Sequence, residues 1–180
     1  MKADKLLVAL IALVLVFACS KEEVKLRYSR QEQNIESFVN STLKSVDTAY
    51  VVYNKGVTRL VVVPGDSLSV NGTVSFHYAG YVLSGTSVNA SDMFATNSEE
   101  VAKGSGWTLS DDSVFEVKTV KLSESGFVKG LKYGLEGVKA GQECYILFSG
   151  KYGFGKRELG TIPANSALVY RIWVESITND

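Results

Sequence analysis

The segment "FVKGLKYGLEGVKAGQECYILF", from Phe127 to Phe148, begins in a helical pattern yet carries Gly130, Gly134, Gly137 and Gly141. A glycine inside a helix costs about 1 kcal/mol relative to alanine, so repeated glycines need a compensating contact. At about 100° per residue, Gly130, Gly134 and Gly137 fall within a stripe roughly 60° wide. Phe127, Val128, Leu131, Leu135 and Val138 occupy the adjoining sector, while Lys129, Lys132, Glu136 and Lys139 point to water. The glycines therefore form one edge of a buried face where backbone can lie close against a sheet. This spacing predicts a helix over 127–140, with Gly141 ending it in the left-handed conformation.

A sheet is available in the rest of the chain. "YVVYNKGVTRLVVV" is β-rich, with a bulge or turn at Gly56. "TVSFHYAGYVL" alternates Val74, Phe76 and Tyr78 with Ser75 and His77, the period of a strand. "VFEVKTVKL", "ECYILFS" and "ALVYRIWVESI" read as further strands, whereas "PGDSLSVNG" and residues 84–112 read as loops. One short helix among about five strands argues for an α+β fold with a largely antiparallel sheet.

The N-terminus has a different character. Lys2 and Lys5 precede an apolar run from Leu6 to Phe17, too short to span a bilayer but suited to the core of a signal peptide. The run ends in "VFAC", which resembles a bacterial lipobox with a bulky Phe17. That resemblance implies cleavage before Cys19 and a diacylglycerol on its thiol; an ordinary secretory signal with an incidental cysteine is the alternative. The following "SKEE" resembles the surface-export signal of Bacteroidetes lipoproteins, or is a solvated tether. The expected divisions are a signal peptide over 1–18, a tether over 19–28, a helix and linking strand over 29–55, and the main domain over 56–180. In the helix, Ile35, Phe38, Val39 and Leu43 form an apolar face, with Ser29 and Glu32 as a capping box. Cys144 has no internal partner for a disulfide and is expected to be buried and inert.

Several function classes are excluded. Nineteen basic residues balance nineteen acidic ones without a basic stripe, which argues against nucleic acid. "GKYGFGKR" approaches a phosphate-binding loop, but Arg157 replaces the metal-binding hydroxyl and "ELGTIPANS" follows in place of a helix. A single histidine, His77, and a single remaining cysteine give no basis for a zinc site or a catalytic triad. No metal or cofactor is expected.

Four ordered motifs, "VSFHYAGYVLSG", "GFVKGLKYGLEGVKAGQE", "KYGFG" and "IPANSALVYRIWVESI", resemble those of the FKBP-type peptidyl-prolyl isomerases over about residues 56–178. The resemblance implies a curved antiparallel sheet wrapped around one short helix, to which the spacing over 29–43 adds an N-terminal helical extension. It also implies rotation about X–Pro bonds without a nucleophile or metal. Its partners would be proline-containing segments of exported proteins, met at the cell envelope by a lipid-anchored protein. By position in the motifs, Tyr78, Phe94, Phe127, Val128, Leu131, Phe154, Ile162 and Tyr170 would bind substrate, Val128 through its backbone N–H. The chain departs from the family where Leu131 replaces the usual tryptophan and Phe154 a hydroxyl-bearing tyrosine. The family's "F-D-S-S" matches either "VNAS", from Val88, or "FATN", from Phe94; the second keeps the aromatic, and both lack the aspartate. Trp107, in a long following loop, is a candidate cover for the pocket. These losses leave open a second reading, a peptide-binding module of weak or absent activity.

Overall fold

The computed structural model describes residues 2–66, 72–107, 112–124 and 126–178; for residues 2–20, 112 and 113 only the backbone course is described. Part of the expected "PGDSLSVNG" loop and of the 84–112 loop therefore lies outside the described residues. A long helix, α1 (Lys2–Ser45), leads into strands β1 (Tyr50–Asn54), β2 (Val57–Val63), β3 (Thr73–Val82) and β4 (Met93–Thr96). Then come α2 (Glu99–Gly104), β5 (Lys118–Lys121), α3 (Lys129–Leu135), β6 (Glu143–Phe148) and β7 (Leu168–Thr178). The strands form one sheet in the order β1-β2-β6-β7-β3-β4, with β5 also paired to β3, and every pairing is antiparallel.

Among the described residues, seven strands stand where about five were expected. The first β-rich run is a hairpin, because Lys55 and Gly56 both adopt positive φ, at 51° and 83°, the combination a tight two-residue turn requires. The second addition is β4, from the region read as loop. β4 and β5 share one edge of β3, pairing with residues 79–81 and 73–76 respectively.

Side-chain alternation divides the core in two. One face of the sheet carries Val74 and Phe76 from β3, Cys144, Ile146 and Phe148 from β6, and Tyr170, Ile172 and Val174 from β7, packed with Leu131, Leu135 and Val138. The other face carries Leu60, Leu147 and Val169, covered by Ile35, Phe38 and Val39 of α1. Cys144 is fully buried, and burial pushes its thiol up to about 12, so it stays a neutral core side chain.

Two glycines act as the spacing demands. A Cβ on Gly130 would fall on the Phe148 ring, and one on Gly134 on Cγ2 of Ile146. The helix is shorter than expected, however. It ends at Leu135, and the left-handed residue just beyond it is Gly137, with φ of 74°; Gly141 is left-handed as expected, with φ of 70°, but stands well past the helix end, in the turn before β6. Gly137 has only Arg59 Nη2 within reach, at 3.9 Å from an ideal Cβ, so it serves backbone conformation instead of close packing. Arg59 supplies the stop: it donates to the carbonyls of Gly134 (2.9 Å), Glu136 (2.7 Å) and Gly137 (3.1 Å). A buried guanidinium there satisfies carbonyls that a helix end leaves unpaired.

At the N-terminus, α1 continues unbroken through Cys19 and residues 20–28, so Ser29 does not start the helix. The stretch "SKEEVKLRY" contains no glycine or proline to interrupt it. Nor is it detached from the domain: Tyr28 donates to Asn165 Oδ1 at 2.9 Å, and Gln31 links the Asn165 carbonyl to the Gly150 N–H. Leu43, expected on the apolar face, is exposed. Among the described residues no helix is long and apolar enough to cross a membrane.

Candidate functional site

The concave side of the sheet is not filled completely. Beyond the N-terminal end of α3, Phe76, Tyr78, Phe94, Ala95, Lys118, Phe127, Leu131 and Tyr170 enclose a cavity of about 150 Å³. An apolar cavity of about this volume accommodates a benzene-sized ring.

Local sequence explains how the rings are brought together. Phe76 and Tyr78 are two residues apart on β3 and so share a face. Gly80 continues that face without a side chain; a Cβ there would approach Phe94 Cζ to 2.6 Å and Tyr170 Cε1 to 3.1 Å. The gap admits Phe94, whose ring meets Tyr170 edge-on at 5.6 Å between centroids. Phe148 stacks behind Tyr170 at 6.0 Å, and Phe127 meets Phe76 edge-on at 6.2 Å. Leu131 supplies the helix side of the cavity.

A residue that the sequence offers only as the last letter of "FATN" holds β3 in place. Asn97 is almost fully buried, in the gap where the edge partner of β3 changes from β4 to β5. Its Oδ1 accepts from the Tyr78 N–H at 2.6 Å, while Nδ2 donates to the carbonyls of Phe76 (3.3 Å) and Glu116 (2.9 Å). The carbonyl of Tyr78 accepts from the Asn97 N–H and the Thr96 hydroxyl. One amide thus does the work of the missing strand pairs. Its only signal in the sequence is its place at the end of "FATN".

Of the residues expected to bind substrate, Tyr78, Phe94, Phe127, Leu131 and Tyr170 line the cavity, while Val128, Phe154 and Ile162 do not. Those three pack in the surrounding cluster. Ile162 is held there by reciprocal backbone hydrogen bonds with Leu159. Val128 caps α3 in an extended conformation, with φ of −58° and ψ of 148°, and its N–H has no acceptor among the described residues. Phe76, Ala95 and Lys118 are additions. Phe76 was within reach of the sequence, since it alternates with Tyr78.

Phe94 and Ala95 in the lining decide for "FATN" over "VNAS": Val88 packs against the opposite core, under α1. Asp92 does not substitute for the absent aspartate, because its carboxylate accepts from the N–H and side chain of Asn89. Trp107 is not in the lining; it follows α2, where its N–H donates to the Ala102 carbonyl. Burial raises the hydroxyl pKa of both Tyr78 and Tyr170. Both remain protonated donors near neutrality, and neither hydroxyl has a partner among the described residues.

Residues 64–175 match the family model described as FKBP-type peptidyl-prolyl cis-trans isomerase. The chain belongs to that family. It is 24% identical over 119 residues to "FK506-binding protein 1" of Aspergillus oryzae, covering 65% of this chain and 94% of that protein. Among solved structures it shares its fold with the three FKBP domains of wheat FKBP73 (TM-score 0.55, 18% identity, 73% of this chain) and spans 50% of that protein's chain. It also resembles FkpA from Escherichia coli (TM-score 0.54, 19% identity), covering 93% of this chain and 69% of the other.

Proposed function

We propose that this protein is a peptidyl-prolyl cis-trans isomerase acting on exported polypeptides at the cell envelope. The observation that carries the reading is the ring-walled cavity between β3, β4, β7 and α3. A planar X–Pro amide is charge-separated by resonance, and rotation in water faces a barrier of about 18–20 kcal/mol. At the midpoint of rotation that resonance is lost. Phe76, Phe127, Leu131 and Tyr170 would hold the prolyl ring where the amide is poorly solvated. That environment disfavours the planar form more than the twisted one, which is differential binding of a transition state. The Val128 N–H and the Tyr78 hydroxyl are the available donors to the substrate backbone. Neither a nucleophile nor a proton transfer is required.

Binding with little turnover is a second reading, favoured by Ala95 and Phe154 standing where the family carries polar groups. Each missing hydrogen bond removes about 0.5–1.5 kcal/mol, so losing two would slow the reaction by about five- to 160-fold. A protease-coupled isomerisation assay separates the two. Turnover above the uncatalysed background supports the enzyme; background rates with measurable peptide binding support the module.

The envelope placement rests on "VFAC" and a lipid on Cys19, with several acyl chains each contributing about 0.8 kcal/mol per buried methylene. Cys19→Ala is expected to move the protein from the membrane to the soluble fraction. Unchanged detergent-dependent fractionation of that variant would refute the anchor.

A further inference from the structure

Among the described residues, Lys118 is the one charged residue in the cavity lining. Its place follows from register: it pairs with Phe76 across β5 and β3, and cross-strand partners project from the same face. Phe76 faces the cavity, so Lys118 stands beside it, exposed at the rim. The next position on that face of β5, Val120, packs against the core. Lys118 makes no ion pair among the described residues, so structure alone gives no reason for a cation there. Among the described residues, no nearby acid neutralises it. Glu116 engages Asn97 only through its backbone carbonyl, Glu124 pairs with Lys121, and no carboxylate of a described residue enters the lining. Lys129, opening α3 beside Phe127 and Val128, is exposed and likewise without an ion-pair partner.

We propose that Lys118 makes this site selective for prolines flanked by an acidic residue. The aliphatic stem of Lys118 lies along the apolar rim while its ammonium stays hydrated. A carboxylate next to a proline seated in the cavity is then drawn to that ammonium. A neutral side chain gains nothing there, and a cationic one is repelled. The inference rests on the reading of the cavity as a prolyl site, and the test keeps the two apart.

Full-length protein is assayed with peptides that differ only in carrying Glu, Gln or Lys immediately before or immediately after the proline. Isomerisation rate and calorimetric affinity are both read. At one of the two positions Glu should exceed Gln by about two- to fivefold, the effect of one exposed ion pair, with Lys weakest. At about 1 M salt, where screening acts within about 3 Å, the preference should collapse. Lys118→Gln should bring the Glu-to-Gln ratio to about one, and Lys118→Glu should invert the order. A folding defect in either variant would lower all peptides together and leave the ratio unchanged. Turnover or binding without charge preference at both positions overturns the role of Lys118 and leaves the prolyl site standing. Peptides neither turned over nor bound overturn both.

Discussion

The two faces of the sheet hold their helices by opposite means. On the concave face, Gly130 and Gly134 let the backbone of α3 rest directly on Phe148 and Ile146. On the convex face, α1 stands off on large side chains, with Phe38 meeting Tyr145 edge-on at 5.3 Å between centroids. Direct backbone contact fixes the position of α3 to within a methyl group, so the start of that helix becomes a rigid wall for the cavity. Side-chain contact leaves α1 room to adjust, and polar bonds from Tyr28 and Gln31 set its place instead. Precision is concentrated on the face that carries the proposed chemistry.

This contrast can be broken by substitution. Gly134→Val should have the largest effect, because the new side chain would occupy the space of Ile146. We expect a loss of about 3 kcal/mol or more, combining helix propensity with overpacking, read by urea denaturation. A loss well under about 1 kcal/mol would mean that α3 can lift from the sheet as freely as α1. Arg59→Ala comes next, leaving the carbonyls of Gly134, Glu136 and Gly137 without their donor. The cost should be about 2–3 kcal/mol, together with faster amide exchange over 134–138. Phe38→Ala removes a comparable aromatic from the convex face. We expect about 2 kcal/mol, below the 3–5 kcal/mol common for core phenylalanine, because α1 can settle toward the sheet.

The smallest effect concerns pH. Partial burial would raise the carboxyl of Glu136, but hydrogen bonds from Lys55 and Asn54 outweigh it and hold the group below its ordinary value of 4.5. A depressed folded-state pKa stabilises above the unfolded value and is lost as pH falls through the folded one. The contribution should therefore be present above about pH 4.5 and fade below it. Glu136→Gln should flatten that part of the stability profile. A mostly solvated pair gives a shallow dependence, so an unchanged profile would show that the end of α3 relies on Arg59 alone.

How far the sequence leads follows from the same physics. Alternation along β3, β6 and β7 assigns residues to faces because the period of a strand is fixed; the motif resemblance, not the alternation, singles out Tyr78 and Tyr170, and both line the cavity. The glycine stripe revealed close packing at Gly130 and Gly134. It also suggested a longer helix, because Val138 keeps helical spacing and is buried in the same core, although it is reached through a turn. Nothing local distinguishes those two routes; the partner that ends the helix, Arg59, lies on another strand. Asn97 was hidden for a related reason. Its role exists only once β4 and β5 meet on one edge of β3. Lys118 depends on the pairing register of a four-residue strand, which composition does not specify. Phe94 lay between two readings until Gly80 was seen to make room for its ring.

The most direct measurement is exchange NMR on a prolyl peptide mixed with the protein, reading the peptide and the protein resonances together. We expect cis–trans exchange accelerated beyond the free peptide. Perturbed protein signals should be confined to the cavity lining, from Phe76 and Tyr78 to Lys118 and Tyr170, and to the Val128 amide, with Phe38, Val39 and the rest of the convex face unchanged. Exchange no faster than in the free peptide, or perturbations centred on α1, would contradict the assignment of the concave cavity as the prolyl site.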